Sequence, residues 1–222
     1  MNDARDRLET WRLAELGKEA AGLVHQLRQP LFAIKGLLQL AEAQPLHAAS
    51  HVAAARAQVE SLERLVSAWA DLSREPREGT EEFDIRMPVE NALTLLRQRA
   101  ARLGVSVVAD LGPGCLVRSS ELGVQQAVVN LGQNALDALE ARADARLVLS
   151  IAGCEIVVRD NGPGLPDSVR DRLFVPFTTT RQEGTGLGLS LAKALIEGGG
   201  GRLTLEPQES GVCWRIVLAA AG

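Results

Sequence analysis

His25 stands in the run Val24-His25-Gln26-Leu27-Arg28-Gln29-Pro30-Leu31, an imidazole nucleophile on a segment with helical periodicity. Far downstream lie two glycine clusters, Asp160-Asn161-Gly162-Pro163-Gly164 and Gly184-Thr185-Gly186-Leu187-Gly188-Leu189. A nitrogen nucleophile and loops able to handle phosphate, joined in one short chain, point to phosphoryl transfer onto the imidazole. Neither half carries that reading alone. A lone helical His is ordinarily structural, and an Asp-Asn-Gly-Pro-Gly run by itself is ordinarily a turn. Pro30, five residues after His25, breaks the helical hydrogen-bond ladder and can bend the helix one turn beyond the nucleophile. His47 and His51 fall near an expected turn and are read as exposed bystanders.

Asn130 and Asn134, in Asn130-Leu131-Gly132-Gln133-Asn134-Ala135-Leu136-Asp137, are four apart on an expected helix, so both amides leave one face. Asn is a mediocre helix former, and two of them in an otherwise apolar helix ask for a reason beyond solvent exposure. A carboxamide oxygen is a hard, neutral ligand, suited to a Mg²⁺ ion that keeps its waters and bridges phosphates. Asp160 ends an expected strand and runs into Gly162-Pro163-Gly164. Its carboxylate can accept from an exocyclic amine, and the glycines let the backbone approach a flat ring. Gly184 to Leu189 precedes the apolar run Leu191-Ala192-Lys193-Ala194-Leu195-Ile196. That order puts free N–H groups and the positive end of a helix dipole where phosphates bind. Between the clusters, Leu173-Phe174-Val175-Pro176-Phe177 reads as an apolar anchor and Thr178 to Glu183 as a polar lid. No Gly-x-x-x-x-Gly-Lys-Ser/Thr run is present, which argues against a P-loop protein.

Two halves with different periodicities must position these groups. From Arg7 to about Ser73 the chain reads helix: Leu16, Ala20, Leu23, Leu27, Leu31, Ile34 and Leu38 recur at steps of 3 and 4. Gln44-Pro45 breaks the pattern, which resumes with Val52, Ala55, Val59, Leu62, Val66, Trp69 and Leu72. Two long helices joined by a short turn make an antiparallel hairpin, and seams this wide predict pairing into a dimeric four-helix bundle. Arg74-Glu75-Pro76-Arg77-Glu78-Gly79 reads as a linker. Beyond it, Phe83 to Ile85 and Val105 to Val108 are strand-like, while Val89 to Arg102 and Glu121 to Ala141 are helical. Leu147 to Ile151 with Glu155 to Arg159, and Leu203 to Leu205 with Val212 to Leu218, form two strand pairs. Helices mixed with paired strands predict an α+β fold, a sandwich whose single sheet is covered by helices on one face.

Composition narrows the classes. Of 222 residues, 46% are apolar and 23% charged, as in a packed globular protein. A net charge of −4 leaves no basic footprint for nucleic acid and no polybasic membrane patch. There is no apolar run of about 18 residues to span a bilayer, and Met1 to Asp6 lacks a signal-peptide core. Cys115, Cys154 and Cys213, widely spaced and odd in number, are expected to be reduced thiols of a cytoplasmic protein.

The order Asn-x-x-x-Asn, Asp-x-Gly-x-Gly, Phe-x-Pro-Phe, Gly-x-Gly-x-Gly resembles the ATP-binding domain of sensor histidine kinases of two-component systems. That family shares its ATPase fold with gyrase-type and heat-shock-chaperone ATPases. His25 to Leu31 resembles the phospho-acceptor box of the same kinases, and the likeness runs from about Leu13 to Leu218. The resemblance implies a dimerisation and histidine phosphotransfer hairpin over residues 1–75 and a catalytic ATP-binding α/β sandwich with a mixed sheet over 76–222. By it, His25 accepts the γ-phosphoryl group, Asn134 coordinates Mg²⁺ and Asn130 supports metal and phosphates. Asp160 binds the adenine amine in a pocket shaped by Gly162 and Gly164. Thr180 and Arg181 belong to the lid, where the family often has Lys in place of Arg181. Gly184, Thr185, Gly186, Leu187 and Gly188 line the triphosphate. The implied cofactors are ATP and Mg²⁺, and the implied partners are a second copy of the chain and a response-regulator receiver domain.

Two positions depart from the family's pattern or bear on its range. Most such kinases carry Glu or Asp directly after the histidine, where this chain has Gln26. Gln29, one helical turn after His25, matches a position the family uses to place a hydrolytic water, which implies phosphatase activity toward the regulator. A kinase-impaired ATP-binding scaffold or phosphatase module is therefore the alternative. A chaperone- or topoisomerase-type ATPase is disfavoured by the histidine box.

Overall fold

The structure, a computed structural model, describes residues 27–28, 30–73, 80–140, 142–175, 178–179 and 186–221. The expected phospho-acceptor residues His25, Gln26 and Gln29, and the lid residues Thr180, Arg181, Gly184 and Thr185, lie outside the described residues. The chain divides into two compact units, Met1–Ala70 and Asp71–Gly222.

In the first unit, α1 (residues 30–43) and α2 (Ala48–Ser73) are joined by a single 3-10 turn, Pro45–His47. Pro45 opens that turn, where its missing N–H leaves no donor unsatisfied. Gln44 N donates to Leu40 O at 2.8 Å and His47 N to Gln44 O at 3.0 Å, closing one helix and starting the next. The seam positions Leu38, Val52, Val59 and Val66 are 42–46% exposed, while Ala55 is buried. His47 is exposed as expected, but His51 is half-buried and its Nε2 is enclosed without a hydrogen-bond partner.

The second unit runs β1 (Glu81–Asp84), α3 (Arg86–Leu103), β2 (Ser106–Gly114), β3 (Leu116–Ser119), α4 (Glu121–Ala138), β4 (Arg146–Gly153), β5 (Glu155–Asp160), α5 (Asp167–Arg170), α6 (Gly188–Gly198), β6 (Arg202–Glu206) and β7 (Cys213–Val217). A five-stranded sheet has the order β2-β4-β5-β7-β6, parallel between β2 and β4 and antiparallel elsewhere. The sheet is therefore mixed. Leu147, Leu149 and Ile151 alternate with Val148 and Ser150, and Ile156 and Val158 with Val157 and Arg159. The first set is buried with the helices, α4 packing against both α3 and α6; the second is half-buried or exposed. Period-two burial of this kind is that of a sheet with one covered face. β1 and β3 form a separate small sheet, with Phe83 opposite Val117. Ile85, expected to extend β1, instead caps α3.

Gly132 lets α3 and α4 approach closely, since a Cβ there would run into the Leu96 side chain. α4 ends at Ala138, three residues short of the expected Ala141, once Leu139 N bonds back to Ala135 O and Leu136 O. The cysteine expectation is corrected. Cys115 and Cys154, next in sequence to the paired Gly114 and Gly153, form a disulfide with Cα atoms 5.4 Å apart. They lie 39 positions apart in sequence, and the parallel register of β2 on β4 brings them together. Cys213 remains a free, buried thiol. Among the described residues, no helix is long and apolar enough to cross a membrane.

Candidate nucleotide site

α4 carries the asparagine pair. Its start is fixed by Ser120, whose Oγ accepts from Gly123 N at 3.1 Å. Val124, Ala127, Val128, Leu131 and Ala135 are buried in the core, which leaves Asn130 and Asn134 half-buried on another side. Gln126 Nε2 donates to Asn130 Oδ1 at 3.2 Å, and Asn130 Nδ2 is buried without a partner. A buried amide left so is costly unless a ligand or water meets it.

Asp160 closes β5 and is 5% exposed. Its Oδ1 accepts from Gly162 N at 2.8 Å and from Val212 N at 3.2 Å, so two backbone donors fix the carboxylate in one orientation. The main chain beside it is fixed as well: Asp160 N donates to Val212 O at 2.9 Å, and Gln208 Nε2 donates to Asp160 O at 3.1 Å. Gly211, at φ +77°, is what lets the β6–β7 loop close on Asp160, because a Cβ there would collide with the Asp160 carbonyl. Asn161 clips the turn to the start of β4, with Nδ2 donating to Asp144 O at 2.7 Å and Oδ1 accepting from Arg146 N at 2.8 Å.

The glycine clusters meet α4 at two points. A Cβ on Gly162 would lie 2.8 Å from Asp160 Oδ1 and 3.6 Å from Ala138 Cβ. A Cβ on Gly188 would lie 3.4 Å from Asn134 Nδ2. Asn130, Asn134 and Ala138 succeed one another at i, i+4 and i+8, so one helix face is flanked by the Asp160 turn at one end and by the first turn of α6 at Asn134. Gly164 at φ +81° and Gly186 at φ +66° adopt the left-handed backbone that favours glycine. Leu187 is fully buried, so its side chain anchors the cluster. Ser190 Oγ and Leu191 N bond to Leu187 O at 2.9 Å each, starting α6 directly after the glycines.

Leu173 and Phe174 pack against the core, as the apolar-anchor reading expects, whereas Val175 is 44% exposed and Pro176 and Phe177 lie outside the described residues. Thr178, the first residue of the expected lid, is half-buried with Oγ1 enclosed and unpartnered. Sequence reasoning also missed Gln208, Gly211 and Val212 behind Asp160. Gly211, in the polar run Pro207 to Gly211 between two strands, was the one available signal. No cluster of three or more His, Cys, Asp or Glu suited to a metal occurs among the described residues. The donors that are present, amide oxygens beside a helix start, fit an ion that keeps waters and takes phosphate oxygens, as Mg²⁺ does.

Residues 119–221 match the histidine kinase-, DNA gyrase B- and HSP90-like ATPase family, and residues 15–78 the His Kinase A (phospho-acceptor) domain. The C4-dicarboxylate transport sensor protein DctB of Rhizobium meliloti (strain 1021) is 33% identical over 98% of this chain and 37% of its own length. Sensor protein FixL of Bradyrhizobium diazoefficiens is 32% identical over 95% of this chain and 45% of its own. The chain thus spans less than half the length of these relatives. The crystal structure of histidine kinase ThkA in complex with response regulator protein TrrA shares the fold, with a TM-score of 0.72 at 21% identity over 95% of this chain and 63% of that one.

Proposed function

This chain belongs to the sensor histidine kinases of two-component systems, and from that premise we propose that it is an ATP-dependent kinase core. It phosphorylates His25 and passes the phosphoryl group to an Asp in the receiver domain of a response regulator. Residues 1–75 form the dimerising phosphotransfer hairpin and residues 76–222 the catalytic domain, both cytoplasmic. One observation carries the reading: Asn134 on α4 faces Gly188 at the start of α6, and Ala138 on α4 faces Gly162 beside Asp160. Motifs scattered over nearly 60 residues of sequence line a single helix.

In this site Asp160, held by two backbone N–H groups, accepts from the exocyclic amine of adenine. Gly162 and Gly164 leave room for the ring. Asn134 would hold Mg²⁺ through its amide oxygen, with Asn130 supporting the metal and phosphates. When bound, the ion supplies charge neutralisation along the phosphates. Main-chain N–H groups of Gly184 to Gly188 receive the triphosphate, with Thr180 and Arg181 reaching it from the lid. A ring nitrogen of His25 then attacks the γ-phosphorus as the bond to the leaving ADP oxygen breaks. Gln26 can accept from an imidazole N–H and fix its tautomer, but it cannot take the proton.

Gln26 also favours the second reading, a kinase-impaired scaffold or phosphatase in which Gln29 places water on a phospho-Asp. Loss of regulator dephosphorylation in Gln29→Ala is expected if that activity is present; an unchanged rate removes it. Equilibrium ATP binding tests the site itself. Asn134→Ala is expected to weaken Mg²⁺-dependent ATP binding by on the order of 10- to 100-fold, and a wild-type dissociation constant in that variant rejects the assignment.

A further inference from the structure

Gln126 heads the stripe of α4 that Asn130, Asn134 and Ala138 continue, each four residues on from the last. It is half-buried, as is Asn130, while the neighbouring Val124, Ala127, Val128 and Leu131 are buried. Gln126 belongs to none of the asparagine or glycine motifs. Its Nε2 donates to Asn130 Oδ1 at 3.2 Å, which commits the oxygen side of that amide to the helix itself. What remains of the amide is Nδ2, enclosed and with no hydrogen-bond partner among the described residues. Such a donor costs free energy until an acceptor meets it.

A primary amide has two unlike ends, an oxygen that accepts and a nitrogen that donates two protons. The end that faces a ligand decides what it takes: the oxygen suits a cation, the nitrogen an anion. We propose that Gln126 is a positioning residue that turns the Asn130 amide so that Nδ2 donates to a phosphate oxygen of bound ATP. The inference rests on the ATP-binding reading above and narrows the share of Asn130 to the phosphates, leaving the metal to Asn134. Phosphate oxygens accept, and a donor aimed at them in advance needs no reorganisation when they arrive. A glutamine acting only as the i, i+4 partner of Asn130 would steady α4 and leave nucleotide affinity alone.

Equilibrium ATP binding by the full chain, measured with Mg²⁺ and again in EDTA, tests the assignment. Gln126→Glu replaces a donor by a group that only accepts, so the Asn130 amide turns over and presents its oxygen to the phosphates. The dissociation constant for ATP is expected to rise at least about tenfold, by the same factor in both conditions. Gln126→Met leaves the amide free to face either way, and the rise should be only about twofold. In an Asn130→Ala background both substitutions should change affinity little, because their effect passes through Asn130. A wild-type dissociation constant in Gln126→Glu overturns the proposal, whatever becomes of its thermal midpoint. So does a rise confined to Mg²⁺, which would make Asn130 a metal ligand. A rise that persists on Asn130→Ala overturns it too, since direct charge repulsion would then account for the loss. Wild type that binds no ATP removes the site, and this inference with it.

Discussion

A carboxamide beside the nucleophile can orient an imidazole but cannot remove its proton, and general-base help is typically worth about 10²–10⁴ in rate. Gln26→Glu is therefore expected to speed autophosphorylation by at least about tenfold. An unchanged rate with labelled ATP would show that the acid is dispensable in this chain. At this scale the sequence announced side chains and concealed main chain. The placement of Asn130 and Asn134 on one helix and of Asp160 at a strand end was legible from type and spacing, whereas Val212, whose N–H grips the Asp160 carboxylate, has no signature because every residue but proline carries that group. Burial pushes the Cys213 thiol above its ordinary value of 9.0, with Glu206 and Asp160 adding to the rise and Arg159 and Arg215 opposing it. The native protein then keeps a proton that the unfolded chain has already released, so this contribution to stability fades as pH climbs past that ordinary value. Cys213→Ala should flatten the fall of the thermal midpoint above pH 9, and an unaltered slope would assign the fall to other groups.

Among the elements, the Cys115–Cys154 bond joins the end of β2 to the β4–β5 turn. Closing 39 residues restrains the unfolded chain, and Cys115→Ser is expected to lower stability by roughly 2–4 kcal/mol. Under denaturing, non-reducing conditions one thiol should titrate, rising to three after reduction; three at the outset would contradict the pairing. The cysteines were misread because their proximity is a product of parallel register, which spacing does not encode. β3 was overlooked for a related reason, since its four residues sit between two turns and pair with β1 in a separate small sheet. Longer elements were legible: α3, α4 and the antiparallel pair β4–β5 follow the apolar periodicity closely, because one buried face enforces it. The helix end at Ala138 was not, as nothing in Leu139 to Ala141 disfavours another turn.

The whole molecule leaves apolar seams open on the hairpin, with Leu38, Val52, Val59 and Val66 each more than 40% exposed. A second hairpin covers them in the proposed dimer, and Val59→Glu is expected to raise the dimer dissociation constant at least about tenfold, ~1.4 kcal/mol. Sedimentation that finds the variant as dimeric as wild type would place the interface elsewhere. Family and order of domains were legible from motifs alone, since five separate signatures had to fall in one sequence order. The central claim joins the two units through a single reaction, and labelling tests it most directly. Wild type incubated with Mg²⁺ and γ-labelled ATP should acquire acid-labile, alkali-stable phosphate, with none on His25→Ala and little on Asn134→Ala. Label that persists on His25→Ala, or a wild type that takes up none, would contradict the account.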